Sequence, residues 1–287
     1  MLKEELDNFF IYLAKEKGFT RNTLAAYRND IGQFGDFIVA VSAPQDSPVP
    51  KKLNLTARLI SDYRQKLIEK RYRAATLARK MAATKCFIKF LFRSDKLPEE
   101  MEKSLAVSHV PRHTPKPLSI SEIKRLLAEP AKQSSAEAKR DKAMLELLYA
   151  TGLQASELMS LNLGDVDLKK GLVHCRGKRA RNRSISIDAS VTKVVKDYLD
   201  IARPELAKEA ETALFVNIRG ERLTRQGFWQ ILKQYGDKAG LDTQVTPRVL
   251  RHSFAVSKLR GGNDLHTLQK MLGHAYLTST KVYEKVK

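Results

Sequence analysis

A proline-rich segment divides the chain into two parts. Residues 109–117 read His-Val-Pro-Arg-His-Thr-Pro-Lys-Pro and contain three prolines, Pro111, Pro115 and Pro117. Proline lacks a backbone N–H donor and restricts the residue before it to extended conformations, so a helix cannot continue through this segment. We therefore predict an extended linker over residues 109–118, which joins a domain at residues 1–108 to a second domain at residues 119–287.

The first part has the hydrophobic spacing of amphipathic helices. Apolar residues recur at intervals of three or four, the period of a helix that faces a core. The clearest stripe consists of Leu24, Tyr27, Ile31, Phe34 and Ile38. Thr56 can cap a third helix, and a fourth begins near Ala74. Helices of this length are expected to form a small bundle.

The second part mixes helices with short strands. Helices are predicted over residues 136–150, 190–203, 224–239, 247–260 and 264–272, and strands over residues 165–168, 172–175 and 184–187. Ser121 is expected to cap the first helix of this part, and the last helix is expected to begin near Thr278 and to carry Tyr283. The chain is therefore predicted to be mainly α with a small β-sheet.

The charge of the chain indicates a polyanion as partner. The sequence contains 52 Lys and Arg residues against 32 Asp and Glu residues, a formal net charge of +20, and both parts are basic. Nucleic acid is the commonest such partner because Lys and Arg neutralise phosphates and release counterions. The alternative is a basic protein whose charges are only solvated. The candidate DNA contacts, chosen from charge placement, are Arg73, Arg79, Lys80, Lys85 and Lys89 in the first part and Arg176, Arg179, Arg181 and Arg225 in the second.

Composition disfavours several other classes of protein. The apolar runs are much shorter than the roughly 20 residues of a membrane-spanning helix. Cys86 and Cys175 lie too far apart for a disulfide framework or a zinc motif, and the acidic N-terminus differs from a signal peptide. A cytoplasmic location is therefore expected. Since the sequence shows neither a glycine-rich phosphate loop nor an evident metal motif, chemistry on nucleic acid would need side-chain cations and a covalent nucleophile.

Four motifs in a fixed order carry a family resemblance. They are Ala150-Thr-Gly-Leu-Gln-Ala-Ser-Glu-Leu158, Gly177-Lys178, Leu250-Arg-His-Ser-Phe-Ala255, and Leu272-Gly-His274 followed by Tyr283. Together they resemble the signature of the tyrosine recombinase (phage integrase) family, and the compact chain favours the Xer type. The resemblance implies a two-domain clamp around DNA, made of a helical core-binding domain and a mixed α/β catalytic domain.

The resemblance also implies a mechanism. Tyr283 would attack a DNA phosphodiester to form a 3′-phosphotyrosine link, and Lys178 would protonate the leaving 5′ oxygen. Arg251 and His274 would bind the phosphate. Neither a metal nor ATP would be needed, so no cofactor is expected. The implied partners are double-stranded DNA and a homo- or hetero-tetramer on two DNA sites.

Several alternatives stay open within this resemblance. The role is either resolution of chromosome or plasmid dimers or DNA integration, and a second recombinase or a DNA translocase is a candidate partner. A type IB topoisomerase would share the same chemistry. Because only four residues follow Tyr283, where the family commonly has a further helix, we expect a monomer that assembles on DNA.

Two candidate catalytic positions depart from the family pattern. Gln154 stands where the family has its first catalytic arginine, and Arg248 stands where the family has His or Lys. Gln brings no charge to the phosphate, and Arg cannot accept a proton at neutral pH. One hypothesis is that the two residues compensate for each other. The other is a DNA-binding recombinase homologue whose cleavage is weakened or lost because of Gln154.

Overall fold

The computed structural model describes residues 2–42, 55–97, 116–177 and 182–284. The chain divides into two compact units, Met1–Arg112 and His113–Lys287. The first is helical and the second combines helices with one small sheet, which confirms the predicted fold class. Within the described ranges, no helix is long and apolar enough to cross a membrane. Of the predicted linker, residues 109–115 lie outside the described residues.

The helices of the first unit follow the hydrophobic spacing. They are α1 (Leu2–Lys15), α2 (Arg21–Ser42), α3 (Ala57–Glu69) and α4 (Ala74–Arg93). The hydroxyl of Thr56 accepts a hydrogen bond from the N–H of Leu59 and so caps α3, as predicted. The apolar faces of the helices meet in a core that contains the fully buried rings of Phe9, Phe34 and Phe87.

One predicted DNA contact lies in this core instead of on the surface. Lys80 is 2% exposed, and its Nζ donates to Asp30 Oδ1 at 3.0 Å and to Gln33 Oε1 at 2.8 Å. Asp30 is completely buried and also pairs with Arg79. A buried carboxylate needs a paired cation, and Lys80 supplies it. The structure therefore contradicts the prediction that Lys80 contacts DNA.

The second unit is built around one central helix. Its helices are α5 (Ile120–Ala128), α6 (Ala136–Thr151), α7 (Ala155–Ser160), α8 (Ala189–Asp197), α9 (Arg203–Leu206), α10 (Arg225–Lys238), α11 (Pro247–Arg260), α12 (Leu265–Leu272) and α13 (Thr278–Lys281). Strands β1 (Val166–Asp167), β2 (Leu172–Cys175) and β3 (Arg183–Ser186) form an antiparallel sheet in that order. Met144, Leu145 and Leu148 of α6 are completely buried, so α6 forms the centre of the core.

Some local predictions for this unit are corrected by the structure. Ser119, not Ser121, caps α5, because its hydroxyl accepts the N–H of Glu122 while the Glu122 carboxylate accepts the N–H of Ser119. Helix α7 has six residues, too few for a helical period to appear in the sequence. Tyr283 lies just beyond α13, where its N–H donates to the carbonyl of Thr280 at 3.0 Å.

Candidate active site

The buried guanidinium of Arg251 connects the ends of two helices. Its Nη1 donates to the carbonyl oxygen of Gly152, just after α6, and its Nη2 donates to that of Leu272, the last residue of α12, each at 2.6 Å. Arg251 itself lies on α11 and is 7% exposed. A guanidinium has five N–H donors, so further donors remain for an anion such as a phosphate.

The start of α11 places two arginines close together. The hydroxyl of Thr246 accepts the N–H of Val249 at 3.1 Å, and Pro247 occupies the first turn, which favours a helix start here. Arg248 and Arg251 therefore lie within the first turn and a half, near the positive end of the helix dipole. Arg248 is exposed, unlike Arg251.

The turn after α6 requires a glycine to approach α11. Gly152 has a φ of +61°, and a Cβ at this position would lie 2.3 Å from Cδ1 of Phe254 on α11. Only glycine accepts both the left-handed backbone and this close approach. Gln154 follows the turn with an exposed side chain, and its backbone N–H donates to Oε2 of Glu157 at 2.8 Å.

The carboxylate of Glu157 holds a second arginine at the site. Arg183 donates from Nη1 and Nη2 to the two oxygens of Glu157, both at 2.9 Å, and from Nε to the carbonyl of Met271 at 2.9 Å. Nη1 of Arg251 lies 3.8 Å from the same carboxylate. The charge of Glu157 thus offsets two guanidinium groups that are largely removed from water.

The environment of Glu157 favours its ionised form. Burial raises the pKa of this carboxyl, but hydrogen bonds from Arg183 and from the N–H of Gln154 outweigh burial and hold the pKa below its usual range. Sequence reasoning missed this pair. Glu157 occupies the capping position three residues after Gln154, which is a usable signal, whereas nothing distinguishes Arg183 from the other bases around it.

His274 and Tyr283 lie next to each other after α12. Their ring centroids are 6.4 Å apart and the rings are nearly parallel, at 11°. Nδ1 of His274 lies 2.9 Å from the hydroxyl oxygen of Thr280, which is fully buried. This contact fixes the imidazole and leaves Nε2 as the nitrogen that can meet a ligand.

Burial and neighbouring charge set the protonation of these two side chains. Burial, followed by the charges of Arg251 and Arg183, lowers the pKa of His274 to about 4, so the ring is neutral at pH 7. Burial raises the pKa of Tyr283, while the charges of Arg251 and Arg248 act in the opposite direction. Tyr283 is therefore a neutral phenol next to a neutral imidazole and two cations.

The sequence-predicted residues fall into distinct groups. The structure brings together Tyr283, Arg251 and His274, with Arg248 near enough to act on the pKa of Tyr283. Lys178, Arg179 and Arg181 lie outside the described residues. Of the DNA contacts chosen from charge, Arg73, Arg176 and Arg225 are exposed, Arg79 is exposed but pairs with Asp30, and Lys85 and Lys89 are partly buried. These contacts stay predictions.

A glycine substitution tests the packing of Arg183. Gly273 has a φ of +67°, and a Cβ there would lie 2.8 Å from Nη1 of Arg183, whereas Gly240 has a φ of +61° and no described atom within 4 Å of that position. We expect Gly273→Ala to lower the free energy of unfolding by about 1–3 kcal/mol more than Gly240→Ala. Both variants place an alanine in the left-handed backbone conformation, but only Gly273→Ala crowds a Cβ against a neighbouring side chain.

Denaturant unfolding of the full chain measures this difference. The fluorescence of Trp229 on α10, the one tryptophan in the sequence, reports the second unit. Equal losses of stability in the two variants would contradict the contact between Arg183 and Gly273.

Comparison with known proteins identifies the family. The phage integrase family model matches residues 116–287, and that of the phage integrase N-terminal SAM-like domain matches residues 6–95. The tyrosine recombinase XerC of Herpetosiphon aurantiacus is 42% identical over 286 residues, which cover 99% of this chain and 91% of that protein.

Solved structures share the fold. The crystal structure of XerA recombinase is 30% identical with a TM-score of 0.54 and covers 99% of this chain and 93% of its own. A lambda integrase tetramer bound to a Holliday junction is 16% identical with a TM-score of 0.72 and covers 98% of this chain and 76% of its own. The chain therefore belongs to the phage integrase family, as an Xer-type tyrosine recombinase that cleaves and rejoins DNA in site-specific recombination.

Proposed function

We propose that Tyr283 is the nucleophile of this reaction. The observation that carries the proposal is the convergence of Tyr283, His274 and Arg251, since the phenol lies beside the imidazole and within the electrostatic reach of the guanidinium. Oη of Tyr283 attacks the phosphorus and forms a 3′-phosphotyrosine link, and a 5′-hydroxyl is released. Attack by the hydroxyl of a partner strand then reverses the step.

Arg251 and His274 bind the reacting phosphate in this proposal. The carbonyls of Gly152 and Leu272 hold the guanidinium in place before DNA arrives, so its remaining donors can meet the nonbridging oxygens without reorganisation. In this proposal Nδ1 of His274 accepts the hydroxyl proton of Thr280, so Nε2 carries the ring proton and donates it to the phosphate. Protonation of the leaving oxygen by Lys178 is carried over from the family signature.

Arg248 supplies the guanidinium that the family has at position 154 and that Gln154 does not provide. It is exposed, lies one helical turn before Arg251 on α11, and its charge acts on the phenol of Tyr283. Its long side chain can therefore reach the same phosphate from solvent. We thus favour compensation between Gln154 and Arg248 over a weakened or inactive homologue.

The wider assembly follows from the same proposal. Residues 1–108 are proposed to clamp the DNA, residues 109–118 to link the domains, and residues 119–287 to carry the reaction. The resemblance to a lambda integrase tetramer supports assembly of four protomers on two DNA sites. We propose that the substrate is genomic or plasmid DNA and that the protein acts on it in the cytoplasm.

A covalent adduct tests the nucleophile. A duplex is selected by this protein from a random-sequence library, nicked beside the cleavage position, and incubated with the full chain. We expect a protein–DNA adduct on a denaturing gel for the wild type and none for Tyr283→Phe, with unchanged DNA binding in a gel shift. An adduct that persists in Tyr283→Phe would refute the proposal, and relaxation of a plasmid without the selected site would indicate a topoisomerase.

Cleavage rates of three variants test the compensation. We expect Arg248→Gln to slow adduct formation by about 10²–10³-fold, because a charge-assisted contact to the transition state is lost. Gln154→Arg should give no large rise in the cleavage rate, since Arg248 already supplies that guanidinium. The control is Arg225→Gln, which changes an exposed arginine on α10. This variant should change the affinity for DNA and leave the rate of the cleavage step unchanged. A large rise with Gln154→Arg would support an impaired enzyme instead.

A further inference from the structure

His252 is a buried imidazole that the proposed mechanism does not use. It follows Arg251 on α11 and is 3% exposed. Its ring centroid lies 5.0 Å from that of Tyr283, at an interplanar angle of 43°. Its Nε2 is buried and has no hydrogen-bond partner among the described residues. A buried nitrogen without a partner costs free energy, so its position beside the proposed nucleophile points to a role.

The phenol of Tyr283 has to lose its proton when it attacks the phosphorus. The cations that act on it, Arg248 and Arg251, carry guanidinium groups, which have only donors and cannot accept a proton. Of the two imidazoles next to the ring, His274 is fixed through Nδ1 by Thr280 and faces the proposed phosphate with its other nitrogen. His252 is the neighbour that still has an unused nitrogen.

We propose that His252 accepts the proton of Tyr283 during DNA cleavage. As the bond between Oη and phosphorus forms, the bond between phosphorus and the 5′ oxygen breaks, and the Oη–H proton passes to an imidazole nitrogen of His252. The 5′ oxygen takes its proton from a separate acid, and on rejoining the imidazolium returns its proton to Oη. The inference rests on the proposed role of Tyr283 as nucleophile.

The surroundings of His252 suit this task. Burial, and then the charge of Arg248 four residues earlier on the same helix, lower the pKa of His252. The groups that face the imidazole are Arg248 from α11 and the phenol of Tyr283 beyond α13. The ring is therefore neutral at pH 7 and has a lone pair to offer, and the proton it accepts is readily returned.

The experiment measures single-turnover adduct formation across a range of pH. The wild type, His252→Phe and His252→Gln are incubated with the nicked duplex selected from the random-sequence library, and DNA binding is measured in parallel. Phe keeps a flat ring against Tyr283, and Gln keeps hydrogen bonding, but neither accepts a proton. Tyr283→Phe provides the background.

The expected result separates proton acceptance from packing. Both variants should bind DNA like the wild type and cleave it about 10²–10³-fold more slowly at neutral pH. The wild-type rate should rise with pH through the low pKa of His252 and then level off. The variant rates should keep rising at higher pH, because hydroxide then removes the phenol proton.

Other results would overturn the inference in distinct ways. Rates within about threefold of the wild type with an unchanged pH profile would exclude His252 as proton acceptor. If His252→Gln alone cleaved DNA at the wild-type rate, the position would supply a hydrogen bond only and would not accept a proton. If His252→Phe does not fold, the rate of His252→Gln alone tests proton acceptance. Failure of the wild type itself to form an adduct would refute the role of Tyr283, and with it this inference.

Discussion

The site depends on two hydrogen bonds from one buried guanidinium. Arg251 joins the turn after α6, through the carbonyl of Gly152, to the end of α12, through that of Leu272. Each carbonyl is left unsatisfied by its helix, so the arginine completes both helix ends at once. His274 follows Leu272 after a single residue, Gly273, and Tyr283 packs beside His274. The positions of the phosphate-binding groups and the nucleophile therefore derive from the same two bonds.

A single carboxylate makes this concentration of positive charge stable. Glu157 binds Arg183 through both oxygens and lies 3.8 Å from Arg251. Arg183 also bonds to the carbonyl of Met271, so consecutive carbonyls at the end of α12 are held by two different arginines. Two cations against one carboxylate leave a net positive charge, which a DNA phosphate would neutralise.

Local signals predicted much of the fold and part of the site. The caps at Thr56 and Thr246 and the left-handed Gly152 act over a few residues, so the sequence reveals them directly. The ion pairs that complete the structure do not act locally, so local signals in the sequence do not reveal them. Lys80 pairs with Asp30 at a sequence separation of 50 residues, and Arg183 pairs with Glu157 at a separation of 26. The spacing of bases along one helix cannot tell a solvated lysine from one that returns to a distant carboxylate.

Hydrogen–deuterium exchange of the full chain without DNA tests the central role of Arg251 most directly. In Arg251→Lys, a single ammonium cannot reproduce the forked bonds to the carbonyls of Gly152 and Leu272. We expect faster exchange in the peptides that span residues 150–158 and in those that span residues 268–276, and no change in Arg225→Lys. Exchange that is unchanged in both segments, or faster in one alone, would contradict the view that this guanidinium holds them as one unit.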